Sequence, residues 1–328
     1  MPLLTLGGSM PVRRTLLIAA LAASLAAGCA AVPGRITWPS GDSAPSQAAS
    51  PAPSPPATAS APATSPPLTP STPAPSPTRP PLTAPEAARA MRAWVSAYNA
   101  TLRKPRWWRQ NTRLDALFIE GALHEGVLER NHEESGQKPG HKPIALTGAP
   151  VIYLPRPDKQ PPNGDWFVAR ATYKDTKGRA RPHVLAFFRS PGQAFRLAVA
   201  TPIHWGRRMP KPLLDADGYV TDMDDDMAAA VAEEYRNFWN HEKKEGASGY
   251  RLAKDSFSRK AFPAVYKGLY VRFAGHGSIF GFRTADGGSF FLFALINSSQ
   301  SVNQVLSEAL LVPKGGRTIE ELGANWFS

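Results

Sequence analysis

From Pro39 to Pro85 the chain is built almost wholly of Pro, Ala, Ser and Thr, as in SPAPSPPATASAPATSPPLTPSTPAPSPTRPP. Such a stretch has almost no large apolar side chain whose burial could offset the entropy of ordering it, so it contributes nothing to a core. It is expected to stay unfolded yet locally stiff, in polyproline II conformation. At ~3.1 Å per residue, roughly fifty residues reach at most ~150 Å and typically much less. Folding is thereby confined to the part from about Glu86 to Ser328, long enough for one large domain or two small ones.

Ahead of this stretch, Arg13 and Arg14 lead a run of small and aliphatic residues that stops at Ala27-Gly28 and then Cys29, the only cysteine in 328 residues. A cationic start, an apolar core too short to cross a bilayer permanently and small residues at the cut predict a secretory signal peptide over residues 1–28. Residues Leu25 to Cys29, LAAGC, resemble the lipobox of bacterial lipoproteins, with Ala26 where the pattern most often has Leu. The resemblance implies cleavage after Gly28, a diacylglycerol on the Cys29 thiol carrying palmitate-type chains, and a mature protein at the cell membrane facing the extracellular side. Residues 29–85 then form a disordered tether. The alternative is a plain secreted protein with one incidental thiol. Arg13-Arg14-Thr15-Leu16-Leu17 is similar to the twin-arginine export motif, although ordinary signals also carry paired arginines. Met10 is an alternative start that leaves the mature chain unchanged.

The whole chain carries +12, and loss of the leader's two arginines leaves +10. A basic exported protein is drawn to anionic surfaces such as lipid head groups and phosphate-bearing wall polymers. The expected partners are the membrane, through the lipid, and an anionic wall polymer or another envelope protein; export argues against nucleic acid. With one cysteine, no intramolecular disulfide and no zinc site of several cysteines can form, so stability has to come from packing. No cofactor is expected.

Order is predicted to begin at Thr83-Ala84-Pro85-Glu86, a capping box with proline in the first turn. Met91, Trp94, Val95, Tyr98 and Leu102 follow at helical spacing, and Pro105 stops the helix. Thr112 to Asn131 reads as one or two shorter helices with Gly121 as a break. Val151 to Leu154, Trp166 to Tyr173, His183 to Phe188 and Phe195 to Ala200 read as strands, the last three joined by turns short enough to require antiparallel pairing. The pattern then restarts. Acid at Asp222 and Asp224 to Asp226 opens a helix carrying Met227, Val231, Tyr235, Phe238 and Trp239, followed by strands at Leu269 to Phe273, Ser278 to Phe282 and Ser289 to Ile296. The tail, Val302 to Val312 and Ile319 to Phe327, reads as one more strand and a docking segment.

The expected class is α+β, with two helix-plus-antiparallel-sheet units in tandem after the linker, at residues 86–212 and 213–328. This order of elements is similar to the nuclear transport factor two-like and cystatin-like folds, in which a long helix packs into the concave side of a curved sheet. Asp165-Trp166-Phe167-Val168-Ala169, Leu185-Ala186-Phe187-Phe188, Asp217-Gly218-Tyr219 and Arg283-Thr284-Ala285-Asp286-Gly287-Gly288 resemble an uncharacterised domain of actinobacterial exported lipoproteins, over roughly Glu86 to Ser328. That resemblance implies architecture and location and no activity.

Two groups stand out as candidate binding residues. Trp94, Tyr98, Tyr235 and Trp239 are placed to line a pocket between helix and sheet, the competing reading being plain core. Arg106, Trp107, Trp108 and Arg109 suit an anionic surface, because guanidinium pairs with phosphate while indole settles at an apolar boundary; otherwise the indoles pack under the first helix. Glu125, Glu129, His132 and Glu133 share a helix face that a divalent ion could use, but a solvated charged face explains them better, and no metal is expected. Asp215 to Asp226 departs from the calcium loop at Tyr219 and Val220 and reads as a turn and a helix start. Gly275-His276-Gly277-Ser278 lacks the spacing of a nucleophile elbow, and His183, His204 and His241 have no recognisable partners, so no catalytic residue is assigned. The expected function is a lipid-anchored envelope protein with a non-catalytic head that binds a ligand or partner. An envelope hydrolase, marked by a pocket with a buried carboxylate and a nearby histidine, and a passive assembly lipoprotein are the rivals.

Overall fold

The computed structural model describes residues 81–136, 141–174, 178–241, 243–266, 272–299 and 302–327. The expected signal peptide, Gly28, Cys29 and nearly all of the tether lie outside them. Helix α1 (Ala84–Leu102) starts as the capping box requires: the Glu86 amide donates to Thr83 Oγ1 at 3.4 Å and the Thr83 amide donates to Glu86 Oε2 at 2.9 Å. Its buried residues are Ala87, Met91, Trp94, Val95 and Tyr98, one face of the helix.

Helix α2 (Asn111–Leu117) and helix α3 (Glu120–Glu134) are separated at Phe118 and Ile119, both extended, where the Ile119 amide donates to the Leu197 carbonyl at 2.9 Å. The break is therefore not at Gly121, which sits inside α3. A Cβ at Gly121 would collide with the Cβ of Ala294, so this glycine allows close helix-to-sheet approach instead of ending a helix.

The first sheet is the antiparallel meander β1 (Val151–Tyr153), β2 (Asp165–Lys174), β3 (Ala180–Arg189) and β4 (Arg196–Pro202), in that spatial order. Both faces are covered. Phe167, Ala169, Leu185, Phe187 and Leu197 pack with α1 and α2, while Val168, Val184, Ala186 and Val199 face a second core. The alternation of side chains along a strand sends successive residues of β2 and β3 into different cores, and for that reason the middles of these strands, Phe167 to Ala169 and Val184 to Phe187, are continuously apolar.

The chain then forms helix α4 (Asp225–Asn240), strand β5 (Arg251–Leu252), helix α5 (Phe257–Tyr266) and strands β6 (Gly275–His276), β7 (Phe280–Arg283), β8 (Ser289–Ser299), β9 (Val302–Val312) and β10 (Thr318–Phe327). The second sheet runs β5-β10-β9-β8-β6, with β7 also on β8; β5 pairs parallel to β10 and the remaining pairs are antiparallel. Both tail segments are strands, where one strand and a docking segment were expected. Helix α5 was not expected, because Pro263 stands inside it. Asp224 caps α4 by accepting the Met227 amide at 2.9 Å. One face of β8 and β9 packs under α4 through Phe291, Phe293, Leu306 and Leu310; the other meets the first sheet through Phe290, Leu292, Ala294, Val305 and Ala309. The class is α+β, and helices precede a largely antiparallel sheet twice along the chain.

Candidate functional site

A cavity of about 430 Å³ opens between α1, α3 and strands β2 to β4. Its aromatic wall comes from Trp94, Tyr98, Phe118 and Tyr173. The Trp94 indole donates to the Leu117 carbonyl at 2.7 Å and stacks on Tyr98 with ring centres 5.0 Å apart. Asn99 fastens the segment His141 to Ile144 over the opening: its amide group donates to the Ile144 carbonyl and accepts the Ile144 amide, both at 2.8 Å. Tyr98 donates to the Lys142 carbonyl at 3.1 Å, and burial pushes its phenol up, so the hydroxyl stays a donor. Tyr173 stacks on His183 at 3.6 Å, and burial with the nearby Glu125 charge holds its phenol up as well.

The polar floor is Glu125, in the second turn of α3. Expected on a solvated helix face, Glu125 is 7% exposed and Glu129 is fully buried, because α3 lies against β4, β8 and β9. Ser307 Oγ donates to Glu125 at 3.0 Å and Asn325 Nδ2 at 3.4 Å. Burial pushes the Glu125 carboxyl up to about 7, against the pull of His141 and of those two bonds. It is therefore half protonated near neutrality, able to donate or accept a hydrogen bond. Glu129 accepts the His141 amide at 2.9 Å and lies 3.4 Å from its ring Nδ1. Exposed Lys142 and Lys174 and partly buried Arg181 add three cations to a lining that is otherwise mostly apolar.

Of the four aromatics singled out in the sequence, Trp94 and Tyr98 line this cavity. Tyr235 and Trp239 lie elsewhere, in the core under α4, because α1 and α4 cover different sheets. Trp239 packs on Phe262 and Trp326. Tyr235 belongs to a buried polar cluster that nothing in the sequence had flagged except two acids within apolar strands. Its hydroxyl donates to Glu321 at 2.7 Å, the Ser258 amide donates to the same carboxylate at 3.0 Å, and His204 Nε2 lies 3.0 Å from it. Burial opposes ionisation of Glu321, but the bonds from His204, Ser258 and Tyr235 outweigh it and leave its carboxyl low. Glu308, on the adjacent strand, is pushed well up by burial and then by the Glu321 charge. His204 thus has a partner after all, His183 stacks on Tyr173, and His241 stacks on Phe262.

Arg106 and Arg109 are exposed at the α1–α2 corner, Trp107 is 3% exposed and packs edge-on against His141, and the Trp108 side chain lies outside the described residues. Asp215 accepts the amides of Asp217 and Tyr219, each at 2.9 Å, and pairs with Arg156, as a turn should. Ser278 donates to Glu120 at 2.6 Å. Among the described residues no three His, Cys, Asp or Glu side chains are grouped to hold a metal ion. A wider cleft of about 950 Å³, lined by Glu120, Asp158, Asp222 and Asp225 beside Trp166, has no buried protonatable group comparable to Glu125.

The family model of a domain of unknown function, DUF8094, matches residues 78–317. No curated protein matches the chain. Among solved structures, an Ntf2-like protein involved in plasmid conjugation is similar with a TM-score of 0.23 at 10% identity, over 66% of this chain and 93% of that one.

Proposed function

The chain belongs to the DUF8094 family, and from that premise we propose a non-catalytic ligand-binding head held at the outer face of the cell membrane by a lipid on Cys29. The carrying observation is the cavity, whose size lies within the range of small-molecule sites. Aromatic walls suit an apolar body, Lys142 and Lys174 suit an acidic end, and a half-protonated Glu125 accepts an apolar tail without an obligatory buried charge. The ligand class is a small amphiphile with an acidic head. Decanoate serves as a probe, with binding followed by tryptophan fluorescence. Saturable binding that Ala200→Phe abolishes, at an unchanged melting temperature, is the expected outcome; equal binding by the filled variant would show that the probe sits elsewhere.

A second reading rests on one specific observation. Glu125 is a buried carboxylate that feels the charge of His141, whose ring contacts the neighbouring Glu129, the combination that marks an acid–base site, and a carboxyl near 7 suits a general base. Among the described residues no Ser, Thr or Cys lines the cavity, so a hydrolase built from these residues would have to activate water. Glu125→Gln separates the two: a hydrolase loses turnover of an ester substrate, whereas a binding head keeps its affinity for decanoate within a few-fold. The anchor has its own test. In cells, Cys29→Ser moves the protein from the membrane fraction to the soluble fraction, and unchanged retention would remove the lipid from the proposal.

A further inference from the structure

The corner between α1 and α2 gathers Arg103, Lys104, Arg106, Arg109 and Arg113 within eleven residues. The first four are exposed and Arg113 partly so. The backbone there is fixed: the Lys104 amide donates to the Thr101 carbonyl at 2.9 Å, the Arg109 amide to the Arg106 carbonyl at 3.1 Å, and Arg106 turns the chain at φ 52°. Buried Trp107, against His141, pins the corner from beneath. None of the five cations forms an ion pair among the described residues, whereas Arg156, Arg189, Arg207, Arg236 and Arg259 each hold a carboxylate. The acid nearest in sequence, Asp115, is exposed, and its backbone carbonyl accepts from Arg196 at 3.4 Å. Like charges crowded without counter-charge repel one another, and a polyanion relieves that repulsion.

We propose that this corner docks onto the phosphate layer of an anionic phospholipid bilayer. Guanidinium forks match phosphate oxygens two at a time, and four of the five cations are arginines. The choice of bilayer over a free polymer rests on the lipid-anchor reading. A tether of roughly fifty residues keeps the head within ~150 Å of the membrane, so a weak contact is effectively intramolecular. Among the described side chains of the corner the exposed ones are cations and Trp107 is buried, so their contact is Coulombic and salt disrupts it.

The test uses residues 29–328 with Cys29→Ser, so that docking is read apart from the anchor. Mixed with phosphatidylglycerol vesicles, this chain sediments at low salt and is released at high salt, while phosphatidylcholine vesicles leave it in solution. Each cation near an anionic surface is worth about fivefold in partitioning, so Arg106→Ala with Arg109→Ala weakens binding about 25-fold. A control pair, Lys254→Ala with Lys260→Ala, removes the same charge from another exposed site and changes binding by no more than about twofold. Equal binding to both vesicle types, or equal loss in the two double variants, overturns the proposal. Tighter binding to poly(glycerol phosphate) than to the vesicles overturns the choice of bilayer.

Discussion

Trp94→Ala lowers the unfolding free energy by about 3–5 kcal/mol, a large share of what a domain possesses. Three losses combine. The indole, 4% exposed, fills the space between α1, Phe118 and Phe187, and its removal leaves a void next to a cavity that is already open. Its stacking on Tyr98 disappears, and the Leu117 carbonyl loses its donor. Trp94→Phe keeps one aromatic ring against Tyr98 but loses the donor to the Leu117 carbonyl and part of the indole volume, so it falls between wild type and Trp94→Ala, with the stranded carbonyl worth about 1–3 kcal/mol. Urea midpoints of the two variants give both losses. A Trp94→Ala protein as stable as wild type would mean that α1 does not depend on this face.

Stability that falls as pH rises is the second large effect, and its sign follows from two carboxyls. Glu125 and Glu308 both have native values above the ordinary glutamate value of 4.5, so the folded state holds protons that the unfolded chain has released. Folding therefore becomes less favourable with increasing pH, by up to about 1.4 kcal/mol per pH unit for each group. For Glu125 the window runs from 4.5 to about 7 and amounts to about 3 kcal/mol; for Glu308 it extends further upward. Burial holds His124 low, which acts in the opposite sense on the acid side, and the low Glu321 likewise loses its contribution as pH falls through its native value. The clean readout is the difference between wild type and variant. Glu125→Gln flattens the slope between 4.5 and about 7, and Glu308→Gln flattens it over that range and beyond. Denaturation from pH 5 to pH 8 measures this, and parallel curves for wild type and Glu308→Gln would place the Glu308 carboxyl in an ordinary environment.

What could be read from the sequence follows local physics. The start of α1 was legible because a capping box and a helical apolar face are both encoded within a few residues. The first meander was legible because short turns leave antiparallel pairing as the only choice. Gly121 was misread because a glycine that ends a helix and one that lets a helix touch a sheet look alike until the sheet is present. Helix α5 was missed because Pro263 masks a helix whose stability comes from packing on β10 and α4.

The candidate site divides in the same way. Trp94 and Tyr98 were visible from spacing along one helix. The loop His141 to Ile144 was not, because Asn99 holds it from more than forty residues away. Glu125 seemed solvated because helical periodicity says which acids share a face but not that a second sheet covers it. Glu308 and Glu321 carried a weak signal, acids within strands that also hold apolar core residues, whose meaning appears only once β9 and β10 lie side by side.

The most direct test of the cavity as a ligand site is a crystal structure of the chain grown with decanoate at pH 6, where Glu125 is mostly protonated. The expected result is an acyl chain between Trp94 and Tyr173 with its carboxylate at Lys142 or Lys174. Decanoate bound only outside this space, with the cavity unchanged, would contradict the proposed function.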